Sequence, residues 1–255
     1  MSVADFLNNF SKEKLENIYN DPRAAFYLVN KSKGQHSFKI VATLRQLLGI
    51  KKVGFAGTLD PLASGLMIIA AGPATKLLDL FHLLPKTYQV SIVFGQTSAS
   101  FDLEQDVIIN SNAKEFTRED LDKYLNNFLG KQEQVVPIYS AKKVAGKKLH
   151  ELARLGQTLE NLPKNKIEIY SLKVLSFSYP NLDLEVSCSA GTYIRSLVSD
   201  LGHLSKNGAV MSDLKRTEIG PCYLNQAIDM KDLSVIEIKK QALSVKEMLA
   251  SLSKF

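Results

Sequence analysis

The chain contains no tryptophan and only two cysteines and four histidines among 255 residues. Cys188 and Cys222 cannot build a disulfide framework, and neither stands in a C-x-x-C pair. Cys188 falls in the strand-like run Leu182–Ser189, so a buried thiol is the natural expectation. His36, His82, His150 and His203 are scattered without the spacing of a metal-ligand set, so no structural or catalytic metal is expected. No apolar run approaches the roughly 18 residues of a membrane span. Met1–Phe10 lacks the basic start and apolar stretch of a secretory signal. These absences argue against a disulfide scaffold, a zinc module and a membrane protein, and they predict a cytoplasmic chain. Internal repeats, low-complexity tracts and Pro/Gly-rich linkers are also missing.

What remains is an ordinary globular composition, 45% hydrophobic and 23% charged, long enough to bury a substantial core in one large domain or two small ones. Lysine and arginine exceed the acids by 32 to 26, a net charge of +6 that permits a polyanionic partner without requiring one.

Periodicity gives a coarse element map. Phe6, Leu7, Phe10, Leu15 and Ile18 suggest a short N-terminal helix, and Ala24–Asn30 reads as a strand. Phe38, Val41, Leu44, Leu47 and Leu48 mark a helix closed by Gly49. The run Leu66–Ala71 predicts a buried strand, Ala74–Leu83 a helix stopped by Pro85, and Lys86–Gly95 a half-buried strand. Helices are predicted from Thr117 to Leu129, over Lys147–Leu155 with Gly156 as its stop, and over Thr192–Leu204. Ile167–Tyr179 and Leu182–Ser189 form a predicted hairpin around Pro180-Asn181, and Ala209–Ile219 a strand. Hairpins mixed with helices, without regular β-α alternation, predict an α+β fold with a mostly antiparallel sheet.

One loop looks functional. Gly54, Gly57 and Gly65 admit dihedrals closed to other residues, and Pro61 biases Asp60 toward an extended or turn conformation. A single carboxylate is thereby presented on a loop anchored by the Leu66–Ala71 strand. An Asp-Pro turn taken alone is more often structural than catalytic.

The whole segment, Lys52-Val53-Gly54-Phe55-Ala56-Gly57-Thr58-Leu59-Asp60-Pro61-Leu62-Ala63-Ser64-Gly65, resembles the catalytic motif K-x-G-H-x-G-T-L-D-P-x-A-x-G of the TruB-type tRNA pseudouridine synthases. Further segments resemble that family in the same order. They are Lys86-Thr87-Tyr88, Pro137-Ile138-Tyr139-Ser140-Ala141-Lys142-Lys143 with Gly146-Lys147-Lys148, Gly191-Thr192-Tyr193-Ile194-Arg195, and Leu214-Lys215-Arg216. The resemblance runs from about residue 24 to 228. It implies a pseudouridine synthase fold, a mixed sheet flanked by helices with a central RNA-binding cleft. The implied reaction isomerises uridine 55 in the TΨC arm of tRNA.

That reaction breaks the bond from N1 to the ribose, turns the uracil and rejoins it through C5. It needs no redox step and no external group, so no cofactor is expected. It does need a group that attacks the nucleoside or removes a proton from it, and a carboxylate can do either. The resemblance gives that role to Asp60. Tyr88 would carry the detached ring and assist proton removal from C5, and Arg195 would hold Asp60 ionised and oriented. Tyr193 and Leu214 would wall the pocket. Lys31, Phe55, Tyr139, Lys142, Lys147 and Lys148 are further expected substrate contacts, and Lys215-Arg216 is a second basic pair read toward phosphates.

Departures from the family pattern are visible. Phe55 stands where histidine is usual, Asn30-Lys31-Ser32-Lys33-Gly34 replaces D-K-P-x-G, and Ala99 replaces an acid in Gly95–Asp102. The expected organisation is an N-terminal helical extension (1–23), a catalytic domain (24–228) and a short helical tail (229–255) without the PUA module of many bacterial relatives. A monomer acting on tRNA, with no membrane and no metal, is expected. Two alternatives stay open: an RNA-binding or tRNA-folding chaperone of the same fold, and a synthase acting on another structured RNA.

Overall fold

A computed structural model describes residues 3–144, 146–155, 161–230 and 234–252. They form two compact units, Met1–Tyr88 with Lys215–Phe255, and Gln89–Leu214. The strands Lys86–Phe94 and Ala209–Ile219 each begin in one unit and end in the other.

In the first unit the strand Ser64–Ala71 is central. All its residues except Ser64 are buried, which explains why its sequence is apolar throughout rather than alternating. It pairs antiparallel with Ala25–Lys31 in unbroken register from Ala25↔Ala71 to Lys31↔Gly65. Its other edge is shared. The strand Val53–Ala56 pairs with its C-terminal half, from Val53↔Ala71 to Ala56↔Ile68. Lys215 and Arg216 pair in parallel with Ser64 and Gly65 at its start. The loop carrying Asp60 joins Val53–Ala56 to Ser64–Ala71, so it leaves the sheet where Val53–Ala56 ends and re-enters it beside Lys215 and Arg216.

Phe26, Leu28, Leu66, Ile68, Leu77 and Phe81 make one core with Val3, Phe6 and Ile18 from the N-terminal helices (Val3–Leu7, Lys12–Tyr19) and Met248 and Leu252 from the helix Val245–Leu252. Helices near both ends of the described residues are thus built into this unit's core. The helix Ser37–Leu48 buries Ile40, Val41 and Leu44 and closes at Gly49, whose φ of 66° only glycine adopts at low cost. The helix expected over Ala74–Leu83 is a 3₁₀ helix, Gly72–His82. Its buried residues Ala74, Leu77 and Leu80 recur every three positions, the period of that tighter helix.

In the second unit, Lys164–Ser178 and Asn181–Cys188 form the expected hairpin, from Ile169↔Cys188 to Ser178↔Asn181. Gly130–Val135 adds an edge strand that periodicity did not reveal, because Lys131, Gln132, Glu133 and Gln134 are all polar and its paired residues lie 29 to 39 positions away. Thr117 caps the helix Arg118–Asn126 through a capping box with Asp120. The expected Lys147–Leu155 helix is shorter, Leu149–Arg154; Lys147–Lys148 pairs with Lys143–Val144 instead. Gly156 lies outside the described residues. The helix Ile194–Leu204 buries Ile194, Arg195, Leu197, Val198 and Leu201. Antiparallel pairing predominates in the described strands, as the α+β expectation held.

Candidate active site

The Asp60 loop is held by groups that grip its backbone on both sides of the acid. Before it, the buried Ser37 hydroxyl donates to the Leu59 carbonyl at 3.0 Å and accepts from the Leu59 N–H at 3.4 Å. Farther back, Arg216 Nη2 donates to the Gly57 carbonyl at 3.1 Å, while its Nε donates to Leu66 at 2.8 Å. After it, the Pro61 carbonyl accepts from the Gly34 N–H at 2.7 Å and from Lys31 Nζ at 3.4 Å. The Asp60 carbonyl itself accepts from the Ala63 N–H at 3.1 Å. A half-buried carboxylate is therefore carried by a backbone whose position is specified at four neighbouring residues. Such a group can attack or accept a proton without first being ordered.

Two glycines make this approach possible. Gly57 has φ 68°, and a β-carbon there would lie 3.3 Å from Arg216 Nη1. Gly65 has φ 103°, and a β-carbon would lie 2.3 Å from the Arg216 carbonyl oxygen.

Two basic residues have a different task from the one expected. Lys31 was read as a substrate contact, yet its side chain is fully buried and its ammonium donates to the carbonyls of Gln35 at 2.7 Å, Ser32 at 3.2 Å and Pro61 at 3.4 Å. Arg216 was read toward phosphates, yet it is 2% exposed and spent on Gly57 and Leu66. Burial removes both from the surface a phosphate would meet.

Tyr88 lies half-buried on the strand Lys86–Phe94, in the same unit as Asp60. The residues before it are locked: Lys86 Nζ donates to Phe81 and Leu84 at 2.8 and 2.7 Å, and the Thr87 hydroxyl donates to Glu218 at 2.8 Å. Phe55 is half-buried at the foot of the Asp60 loop and meets Phe38 edge-to-face, with centroids 5.3 Å apart.

The other expected residues belong to the second unit. Arg195 is 6% exposed, and its guanidinium donates to the carbonyls of Tyr139 at 2.8 Å and Ser100 at 3.0 Å. Its carboxylate neighbour within that unit is Asp102, fully buried, with Nε 3.6 Å from Oδ2. Oδ1 accepts from the Ser100 hydroxyl and from the Glu104 N–H at 3.0 Å. Two buried charges held this way gain orientation more than stability. Sequence reasoning quoted Asp102 within a motif but gave it no role; its signal was an acid seven residues beyond a strand-ending glycine, Gly95.

Tyr193, at the start of the Ile194–Leu204 helix, exchanges two hydrogen bonds with the buried Gln134 carboxamide, at 3.0 and 2.8 Å. That double bond sets the helix, and Arg195 with it, against the Gly130–Val135 strand. Leu214 is 6% exposed. Tyr139 is half-buried. Lys142 is exposed and donates to Asn165 at 3.2 Å; Lys147 is exposed; Lys148 pairs with Glu151 at 3.5 Å. Among the described residues, no group of three or more His, Cys, Asp or Glu side chains is arranged to hold a metal ion, and no helix is long and apolar enough to cross a membrane.

Comparison with known proteins identifies the family. Residues 45–194 match the family described as TruB family pseudouridylate synthase (N terminal domain), and residues 195–253 match the tRNA pseudouridylate synthase B C-terminal domain. The chain is 38% identical over 227 residues to a tRNA pseudouridine synthase B of Clostridium perfringens, covering 89% of this chain and 77% of the relative. It is 42% identical to proteins of the same name from Lactobacillus acidophilus (81% and 72% covered) and Protochlamydia amoebophila (85% and 82%). Among solved structures it resembles a chain of an H/ACA RNP bound to a substrate RNA containing 2′-deoxyuridine (TM-score 0.67, 21% identity). It also resembles a chain of a Cbf5–Nop10–Gar1 complex (TM-score 0.69, 22% identity). It covers 93% of itself in both, and spans 63% and 64% of those longer chains, a likeness of fold alone. The matched families cover nearly all of the chain beyond residue 44, and the protein belongs to the TruB family of pseudouridylate synthases.

Proposed function

We propose that this member of the family isomerises uridine 55 in the TΨC arm of tRNA to pseudouridine in the cytoplasm, with Asp60 acting on the extruded nucleotide. The observation that carries this reading is the Asp60 loop itself: one half-buried carboxylate on a backbone tied at Gly57, Leu59 and Pro61. The relatives named tRNA pseudouridine synthase B support tRNA as the substrate.

A stacked uridine cannot be reached inside folded RNA, so the nucleotide is turned out first. Asp60 then either attacks C1′ of the ribose or takes a proton from C2′, and the N1–C1′ bond breaks. The freed uracil turns and C5 bonds to C1′, displacing the Asp60 oxygen on the first route, or with the proton held by Asp60 returned to C2′ on the second. C5 loses its proton and N1 gains one, so the product has the composition of the substrate. Tyr88 offers a ring face on which the base can turn and a hydroxyl that assists the proton leaving C5. Arg195 supplies a fixed positive charge, its own orientation set by Asp102, Tyr139 and Ser100.

The test is modification mapping of an unmodified tRNA transcript. Wild-type protein is expected to yield pseudouridine at position 55, and Asp60→Asn to lose turnover by at least about 10³-fold. RNA affinity, set mainly by phosphate contacts, is expected to survive. Product at another uridine, or tight binding with no product, would overturn the assignment.

A further inference from the structure

Phe38 stands 74% exposed on the first turn of the Ser37–Leu48 helix. It is the one large apolar side chain between Lys31 and Leu59 that is strongly exposed. Its ring is nevertheless fixed, because Phe55 meets it edge-to-face at 85°. One such contact orients an aromatic ring while leaving most of its surface open.

Both rings sit at the root of the Asp60 loop. Phe55 precedes Asp60 by five residues on the strand that feeds the loop. Ser37, next to Phe38, grips both backbone groups of Leu59.

The segment that carries Phe38 and Phe55 is charged with one sign. From Pro22 to Leu59 the chain holds no aspartate or glutamate, while Arg23, Lys31, Lys33, Lys39, Arg45, Lys51 and Lys52 are cationic. Some of these are spent internally: Lys31 on loop carbonyls, Arg45 on the Val53 carbonyl at 2.9 Å, Arg23 on Asp21 at 2.7 Å. Lys33 and Lys39 are exposed on either side of Phe38 in sequence. An open aromatic ring carried by a segment rich in cations and free of acids has the composition of a surface for unpaired nucleotides rather than for a protein partner.

We propose that Phe38, braced by Phe55, is a stacking platform for an unpaired base of the substrate RNA other than the uridine that reacts. This rests on the RNA-modifying function proposed above and adds a contact by which the enzyme holds the loop open once one base has left it. Stacking on an aromatic side chain tolerates any base, so the platform contributes affinity rather than sequence choice.

The test uses the full-length enzyme, a T-arm stem-loop RNA, and the variants Phe38→Ala, Phe38→Leu and Phe38→Trp. Dissociation constants, KM and single-turnover rates at saturating RNA are measured, with thermal stability as the folding control. Phe38→Ala is expected to weaken binding about 5- to 100-fold and raise KM in step, with the saturated single-turnover rate within a few-fold of wild type. Phe38→Trp should restore binding and Phe38→Leu should not, since leucine keeps apolar surface but lacks a π face. The proposal falls if Phe38→Ala binds within twofold of wild type, or if leucine restores as well as tryptophan. A wild-type enzyme that binds the RNA without making pseudouridine defeats the isomerase assignment but leaves this binding test decisive. One that binds no RNA defeats both.

Discussion

Ser37→Ala is the sharpest probe of how the catalytic acid is held. The change removes one oxygen and leaves the helix a better helix former by a few tenths of a kcal/mol. The deleted hydroxyl bridges both backbone groups of Leu59, the residue before Asp60, at 3.0 Å to the carbonyl and 3.4 Å to the amide. Ser37 and Leu59 are 3% and 4% exposed, so water cannot readily replace the lost partner. An orphaned buried carbonyl costs about 1–3 kcal/mol, and the long amide contact adds little. Net destabilisation should be about 1–2.5 kcal/mol, a fall in Tm of roughly 3–8 °C for a chain of this size.

The catalytic effect should exceed the stability effect. Arg216 still holds Gly57, and Lys31 and Gly34 still hold Pro61, so the loop shifts rather than melts. A misplacement approaching 1 Å costs up to about 10² in rate, so a 10- to 100-fold loss in the saturated single-turnover rate is expected, with RNA affinity unchanged. Calorimetry and single-turnover kinetics on one preparation decide the matter. An unaltered Tm would mean the hydroxyl does not anchor the loop. A lowered Tm with an unaltered rate would mean that fixing this backbone does not matter to the chemistry.

Two further outcomes follow from packing and burial. Gly65→Ala should cost about 3 kcal/mol or more in urea denaturation, because its β-carbon would lie 2.3 Å from a backbone oxygen at φ 103°, whereas Gly34→Ala, with open space around it, should cost only about 1 kcal/mol; equal costs would refute the close-approach argument. Burial pushes the Cys222 thiol up to about 11, so folded protein should resist alkylation at pH 8 until unfolded. Because the unfolded thiol ionises near 8.5, the unfolded chain binds fewer protons between that pH and about 11, and stability should fall across this window by less in Cys222→Ala than in wild type; matching slopes would remove Cys222 from the alkaline transition.

The acid was legible in sequence because everything that marks it is local. Gly57, Asp60, Pro61 and Gly65 lie within nine positions, and each constrains backbone in a way that residue type announces. The Ser64–Ala71 strand and the Ile167–Ser189 hairpin were legible for the same reason, since periodicity and turn residues are short-range signals. Gly130–Val135 was not, because a polar edge strand is specified by its neighbour's open hydrogen bonds and not by its own pattern.

What holds the acid was illegible, and the reason is chemical. Lys31, Ser37 and Arg216 act 30, 22 and 159 residues from the carbonyls they reach, and they recognise backbone, which every residue carries alike. A sequence displays the charge of Lys31 and Arg216 but not their burial, so Lys31 reads as a substrate contact and Arg216 as a phosphate contact when both cations are consumed inside the protein. Arg195 follows the same logic in the other unit, where Asp102 and two carbonyls orient its guanidinium. Cations that neutralise RNA should therefore be sought among exposed groups such as Lys142 and Lys147, and not among the basic residues of the matched motifs as a class. The buried ones serve geometry: removing Lys31 or Arg216 should disturb the loop that carries Asp60, and the salt dependence of RNA binding, which counts phosphate contacts, should not change with them.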